Sequence, residues 1–513
     1  MKSTKHISTS SFLTYILVVL LLIVVAYVSI LHTDFILDDI PAILNNPTIG
    51  DADAIFAAPL YFLRPLTLYV SYLFGGLDPF AYHILNVVFH FCNALLLFLI
   101  VRRLMGWEVA WIAGAMFAVH PILSESITWI SALPYPQYAF FFLLSFYSYI
   151  RARKKTDWRW YAMSLLAFVL SLLSAEKAVV LPIILAAYEI SFDSIKKTWK
   201  KLVPHFILAI LGGGALVMGI GARLNSFATD YQVEKTFTNP FINTPYSVAS
   251  YLKLIIWPID LTIYHADSRI STLEYGIHVA VFMAFLALLG VLYFKSRKLF
   301  FWLSFFFISL WPTYAPVAIA WIVAERYVYL GTAGVLVVLA YPISLLVKSK
   351  KYQYAGYGIA VGLVGLLLVR TIVRNQDWQN QDALWIATAN VSPNYHVTHN
   401  NLGDMYGRHG DIERAIREFT IATQIKPDYS DGYHNLGNTY MQIGEFEKAK
   451  PHFEKAIELR PNLWQSHTSL ASIYFRQGEL DKAREHIEAA LKILPGDPGL
   501  LSALSEIDAA EKQ

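Results

Sequence analysis

An all-α chain in two parts is the predicted fold class: a polytopic bundle of membrane helices followed by an α-solenoid of paired helices. Three observations predict it. Of 513 residues, 56% are hydrophobic and 15% charged, against about 25% charged in an ordinary soluble protein. Apolar stretches recur at roughly the length of about 20 residues that a membrane span needs. From Pro393 onward the sequence then repeats with a period of 34 residues.

Charge follows the same division. From Asn394 to the end there are 13 Lys+Arg and 18 Asp+Glu, and the remainder holds 28 and 20. The positive excess belongs to the membrane part and reads as topology rather than as affinity for nucleic acid. A single cysteine, Cys92, excludes an intrachain disulfide. No CxxC, HExxH, P-loop or GxSxG motif occurs, so any sugar or phosphate donor is expected to be lipid-linked rather than nucleotide-linked.

Eleven spans are expected, at 12–31, 82–101, 107–121, 136–150, 159–174, 178–191, 203–221, 276–294, 299–316, 327–347 and 354–373. The first follows Lys2 and Lys5 without a small-residue cleavage site, and reads as a retained signal anchor. Segment 246–263, with Lys253, Trp257, Pro258 and Asp260, reads as an interfacial or re-entrant piece. Basic clusters at Arg102–Arg103, Arg151–Lys155, Lys196–Lys201, Lys295–Lys298 and Lys348–Lys351 fall on alternate connections. With the N-terminus in the cytoplasm, all of them are cytoplasmic. Asp34–Asp39, Arg64, His120–Glu125, Glu176–Lys177, Arg223, His265 and Glu325–Arg326 then gather on the outer face, as does the C-terminal part.

The expected domains are a membrane domain over 1–373, a linker and capping half-repeat over 374–393, and repeats over 394–513. The repeat units are 394–427, 428–461 and 462–495, with a closing helix at 498–510. Pro393, Pro427, Pro461 and Pro495 keep the period, as do Tyr406, Tyr440 and Tyr474, and Gly410, Gly444 and Gly478. Ala415, Ala449 and Ala483 keep it too, and so do Phe419, Phe453 and Ile487. This is the tetratricopeptide pattern of helix, turn, helix and proline. Small residues let paired helices approach, and proline ends the second helix because it cannot continue the ladder.

Each candidate site has two readings. Asp38 and Asp39 are a catalytic base or metal ligand at the membrane surface, or a solvated turn before Pro41 and Asn45–Asn46. Arg64 contacts a lipid phosphate or snorkels. His120 and Glu125 orient an acceptor or metal, or close an interfacial turn with Trp129 as a belt residue. Glu176–Lys177 interrupts an apolar run: the lysine neutralises a phosphate leaving group, or the two charges form an ion pair in a tight loop. Glu325–Arg326 offers a guanidinium fork to phosphate oxygens, or snorkels. Asn401 and Asn435, one repeat apart, face a concave groove that holds an extended peptide, or are solvated. His83 and His90 read as satisfied core histidines.

In order, these motifs resemble those of the transmembrane O-mannosyltransferases that carry tetratricopeptide repeats, within the GT-C class of glycosyltransferases, and suggest a bacterial member. They are Phe35–Asp39 with Asn45-Asn46-Pro47, Arg64-Pro65-Leu66, Asp78-Pro79-Phe80 with Tyr82-His83 and Asn86, and His120-Pro121 with Glu125 and Trp129. Glu176 with Leu181-Pro182, Glu325-Arg326-Tyr327 and the repeats follow. Two departures stand out. Ala175 precedes Glu176 where the family usually has lysine, and Ala132–Gln137 lacks the family's Gly-Arg pair and acidic residue. Mannose is therefore not assumed.

The resemblance implies a GT-C-like membrane domain and an inverting transfer of a mannose-like sugar. The donor would be a polyprenyl-monophosphate sugar and the acceptor a protein hydroxyl on the outer face. By motif position Asp38 is the base and Asp39 orients it. Arg64, Lys177 and Arg326 bind the donor phosphate, and His120, Glu125, Glu176 and Glu325 line the acceptor cavity. The repeats recruit the polypeptide acceptor through a groove that includes Asn401 and Asn435. No cofactor is implied, although related classes use a divalent metal. The expected location is the bacterial cytoplasmic membrane, with the repeats outside. Competing readings are a non-enzymatic membrane scaffold and a lipid-diphosphate oligosaccharide ligase.

Overall fold

The computed structural model describes residues 9–57, 62–155, 157–193, 195–230, 239–265, 271–314 and 321–512, without the side chains at 9, 154–155, 197 and 216–230. No strand occurs among the described residues. The chain forms two compact units, one running to Leu384 and the other essentially from Trp385 onward.

The first unit contains α1 (Thr9–Tyr27), α2 (Leu63–Gly75), α3 (Phe80–Leu104), α4 (Trp107–Ala118), α5 (Ser124–Thr128), α6 (Pro134–Lys155) and α7 (Trp158–Ser174). It continues with α8 (Leu181–Phe192), α9 (Ile195–Asp230), α10 (Pro240–Ile256), α11 (Thr272–Lys295), α12 (Arg297–Ser309), α13 (Tyr329–Lys348) and α14 (Gln353–Gln376). Each apolar stretch read from the sequence falls mainly on one of these helices, and the end of 299–316, at 315–316, lies outside the described residues. By length and apolar composition, five of the described helices suffice to cross a membrane, or six if the bent pair Trp107–Ala118 and Pro121–Thr128 is one span. That is fewer than eleven. At 1.5 Å per residue, α4, α8 and α12 reach only about 18–20 Å, and each runs into a one-turn 3-10 piece at one end. The doubtful segment 246–263 is the end of α10 and a turn at Trp257–Pro258, not a long apolar helix.

A polar stripe on α3 organises the interior. His83, Asn86, His90 and Asn93 share one helix face and bond where neighbouring elements break. His83 Nε2 lies 3.1 Å from Thr33 Oγ1. Asn86 donates to the carbonyls of Ile127 and Trp129 at 3.2 and 3.1 Å. His90 Nε2 meets the Ala118 carbonyl at 3.1 Å, and its Nδ1 meets the Tyr329 hydroxyl at 2.8 Å. Asn93 donates to the Pro136 carbonyl at 2.8 Å. Where lipid excludes water, freed carbonyls need such donors. His90 is thus a satisfied core group, whereas His83 Nδ1 is buried without a hydrogen-bond partner among the described residues.

Around this core, α1 packs its Tyr15 ring on Phe98 at 3.7 Å. Gly114 is required there, since a Cβ at that position would lie 2.1 Å from the Tyr15 hydroxyl. Asn375 on α14 donates to the Ala26 carbonyl on α1 at 2.8 Å. The outer surface is apolar: α11 buries Phe285 and exposes Ile277, Met283, Leu288 and Phe294. Helices α3 and α13 finish in basic residues, at the ends opposite the polar loops.

In the second unit, α15 (Gln381–Val391) precedes three helix pairs. They are α16 (His396–Arg408) with α17 (Ile412–Ile425), α18 (Ser430–Gln442) with α19 (Phe446–Leu459), and α20 (Trp464–Arg476) with α21 (Leu480–Ile493), followed by α22 (Pro498–Glu511). Small residues do what the pattern requires: a Cβ at Gly403 or Gly437 would meet Phe419 or Phe453 at 2.7 or 2.8 Å. Gly410, Gly444 and Gly478 turn each pair at φ near +77°.

Candidate functional site

The acidic loop after α1 splits its two aspartates. Asp38 is exposed and Asp39 is 1% exposed. Asp39 Oδ1 accepts the Ser131 N–H at 2.7 Å, and its Oδ2 accepts the Ile36 N–H at 3.4 Å. Burial pushes its carboxyl up to about 6, against the pull of these bonds. Leu37, directly before the pair, has φ of 52°. Such a conformation costs a branched residue on the order of 1–3 kcal/mol and persists only when its surroundings impose it. The turn is therefore held rigidly, with Asp39 as its anchor and Asp38 outward.

Ser131 leads to the second part of the site. Trp129 lies beneath the Arg326 guanidinium, 5.3 Å from ring centroid to carbon. Arg326 is 8% exposed and Glu125 0%. Glu125 Oε2 accepts the Arg326 backbone N–H at 2.9 Å, and its Oε1 pairs with the Arg326 side chain. Glu325, also 0% exposed, accepts from Arg374 at 3.1 Å and from His265 at 3.2 Å. Arg374 also reaches Asp377 at 3.0 Å.

Lys177 completes the group. It is buried and its Nζ has no hydrogen-bond partner among the described residues. The Nζ atom sits 3.5 Å from the Tyr327 ring centroid and 5.2 Å from that of Tyr135. Aromatic faces stabilise a cation that has lost water but leave its N–H donors unused. Glu176 is half-buried beside it.

The structure thus brings together Glu125, Glu176, Lys177, Glu325 and Arg326, and ties Asp39 to them through Ser131. Other expected residues stand apart. His120 has both ring nitrogens committed to backbone, Nε2 to the Ile255 carbonyl at 3.0 Å and Nδ1 to the Ile122 N–H at 3.3 Å. It clamps the break after α4 to the end of α10. Arg64 lies half-buried in the first turn of α2, a helix joined to α6 by the Gln137–Thr67 bond of 2.7 Å. Asn435 donates to Asn400 of the preceding repeat at 2.9 Å. The side chain of Arg223 lies outside the described residues.

Sequence reasoning did not single out Arg374 or Asp377, and did not give His265 a role. Arg374 was findable, with Arg370, as a charge near the end of a helix that is apolar over most of its length. Its pairing with Glu325 required the fold.

Comparison with known proteins extends the picture. Residues 62–218 match the family described as dolichyl-phosphate-mannose-protein mannosyltransferase. Residues 430–463 and 464–507 match tetratricopeptide repeats. The human protein O-mannosyl-transferase TMTC3 is 22% identical over 467 residues, covering 78% of this chain and 50% of the relative. The mouse protein O-mannosyl-transferase TMTC4 is 24% identical over 487 residues, covering 77% of this chain and 65% of the relative. The chain therefore spans half of the first relative and 65% of the second. ArnT from Cupriavidus metallidurans, solved bound to undecaprenyl phosphate, aligns at 14% identity over 90% of this chain and 81% of its own, with a TM-score of 0.41. The resemblance to O-mannosyltransferases that carry tetratricopeptide repeats, read from the ordered motifs, is borne out.

Proposed function

We propose that this relative of the protein O-mannosyltransferases is a membrane glycosyltransferase that moves a sugar from a polyprenyl-monophosphate donor to a protein hydroxyl, with inversion. One observation carries the reading: an exposed carboxylate, Asp38, fixed by a buried and bonded neighbour, is linked through Ser131 to a cluster that holds a buried lysine, Lys177, whose Nζ has no hydrogen-bond partner among the described residues.

The chemistry follows from that arrangement. The Asp38 carboxylate accepts the acceptor's hydroxyl proton as the oxygen attacks the anomeric carbon. The C–O bond to the lipid phosphate breaks on the opposite face, which inverts the configuration. General-base help of this kind contributes about 10²–10⁴-fold. Negative charge grows on the departing phosphate, and Lys177 offers it three N–H donors in a water-poor setting, where such contacts weigh most. Arg326 contributes charge, while its bonds to Glu125 fix it in place. Arg64 is the third candidate for the phosphate. Glu176, Glu325 and Glu125 frame the cavity, and the repeats recruit the polypeptide. The face opposite the basic clusters is the non-cytoplasmic one by the charge rule, so the reaction faces outward.

The test is sugar release from a panel of polyprenyl-monophosphate sugars by the purified chain, with peptide or water as acceptor. Turnover with one donor that vanishes in Asp38→Asn supports the reading and names the sugar. Equal turnover in wild type and variant removes Asp38 as the base. Turnover with no donor at all, from a folded chain, removes the enzymatic reading. Lys177→Met is expected to lower kcat by roughly 10²-fold, with a smaller change in KM.

A further inference from the structure

The third repeat holds a pair of imidazoles that the reaction above does not use. His467 on α20 and His486 on α21 are half-buried, with their Nδ1 atoms 3.1 Å apart. His467 Nε2 lies 3.3 Å from the Pro461 carbonyl oxygen. A carbonyl oxygen only accepts, so that nitrogen carries the proton and His467 Nδ1 presents a lone pair. His486 Nδ1 donates to it. On another side the His486 ring is stacked on Tyr474, with centroids 5.7 Å apart and planes 4° from parallel.

The same two positions are filled differently in the other repeats. In the first, His399 Nδ1 meets Glu418 at 2.7 Å while Nε2 donates to Pro393 at 2.7 Å. In the second, Tyr433 lies along His452 at 6.4 Å. Of the three repeats, the third sets two nitrogen ligands face to face.

We propose that His467 and His486 form a site for a borderline divalent transition-metal ion, Zn2+, Ni2+ or Cu2+, that ties α20 to α21. With metal–nitrogen distances of about 2.0–2.1 Å, two nitrogens at this separation subtend about 100° at the ion. Tetrahedral and tetragonal sites both accept that angle between neighbouring ligands. A metal-bound histidine characteristically gives its other N–H to a backbone carbonyl or carboxylate, and His467 already makes that bond to Pro461. Binding carries no net proton: solvent removes the His486 Nδ1 proton and supplies one to its Nε2, so both imidazoles stay neutral. His467 supplies the lone pair it already presents, and water fills the remaining positions.

The experiment is calorimetric titration of the full, tag-free, chelator-treated chain in detergent with Zn2+, in two buffers of different ionisation enthalpy. His467→Gln and His486→Phe remove one ligand each, and the phenylalanine retains a ring to stack on Tyr474. Glu418→Gln serves as the control in the first repeat, and far-ultraviolet circular dichroism establishes that each variant is folded. The expected result is a saturable site of one equivalent with no net proton release, hence the same heat in both buffers. It is weakened roughly tenfold or more in both histidine variants and unchanged in Glu418→Gln. Absence of a saturable equivalent in the wild type, or undiminished binding in both folded histidine variants, overturns the proposal.

Discussion

Asp38 and Asp39 are adjacent in sequence and opposite in environment, and their substitutions should separate. Asp38 is exposed, so Asp38→Asn is expected to remove about 10²–10⁴-fold of turnover while leaving the thermal midpoint in place. Asp39→Ala removes the acceptor that holds the Ser131 and Ile36 N–H groups, and should destabilise by about 1–3 kcal/mol. The pH dependence follows from the same burial. Asp39 is raised to about 6, so the folded loop holds its proton more tightly than the unfolded chain does. That contribution is fully present below about pH 3.9, the unfolded value, and is lost as pH rises through 6. Amide-exchange protection at Ile36 and Ser131, corrected for intrinsic rates, should fall across that window and become flat in Asp39→Asn. A protection that rises instead would contradict the assignment. The sequence exposed the aspartate pair because it interrupts an apolar run. It did not distinguish their roles, since burial of Asp39 depends on a partner 92 residues away.

Helices supply a second kind of prediction. On α3, Asn86→Leu leaves the Ile127 and Trp129 carbonyls without their shared donor. It is expected to cost about 1–3 kcal/mol, read as a lower thermal midpoint in detergent. In the repeats, two histidines respond to pH with opposite sign. Burial works against charge on His399, yet its bonds to Glu418 and Pro393 hold it above the usual value. Its contribution is complete below the unfolded pKa of about 6.5 and is lost as pH rises through the raised value. Burial lowers His434 to about 4. Its neutral form is bonded to Ser466 and Asn438, and that contribution is lost as pH falls from about 6.5 towards 4. Acidification should therefore strengthen exchange protection of α16 relative to α18, and His434→Ala should flatten the pH dependence of α18 while that of α16 persists. The repeat helices were legible because one small or aromatic residue out of period would clash, as Gly403 against Phe419 shows. The short helices α4, α8 and α12 were not, because hydropathy continues across the 3-10 turns that end or precede them.

At the scale of the whole molecule, two units with different solvents and different periodicities share one chain. Gly437→Leu, whose Cβ would meet Phe453 at 2.8 Å, should lower the urea midpoint of the repeat transition and leave the membrane unit's thermal transition where it was. A joint shift would show that the units do not unfold separately. The division was readable from composition and period alone, since a 34-residue repeat and a lipid-facing helix draw on different residues. What sequence could not give was the convergence of Glu125, Lys177, Glu325 and Arg374 at one end of the bundle, which depends on pairings as distant as Arg326 with Glu125, 201 residues apart. The longest such pairing has a further consequence. Asn375 on α14 donates to the Ala26 carbonyl on α1 across 349 positions, so during synthesis α1 receives this bond only after α14 has been made. At about 5–20 residues per second, α1 waits roughly 20–70 seconds for it, and throughout that interval the nascent bundle lacks its closing seam.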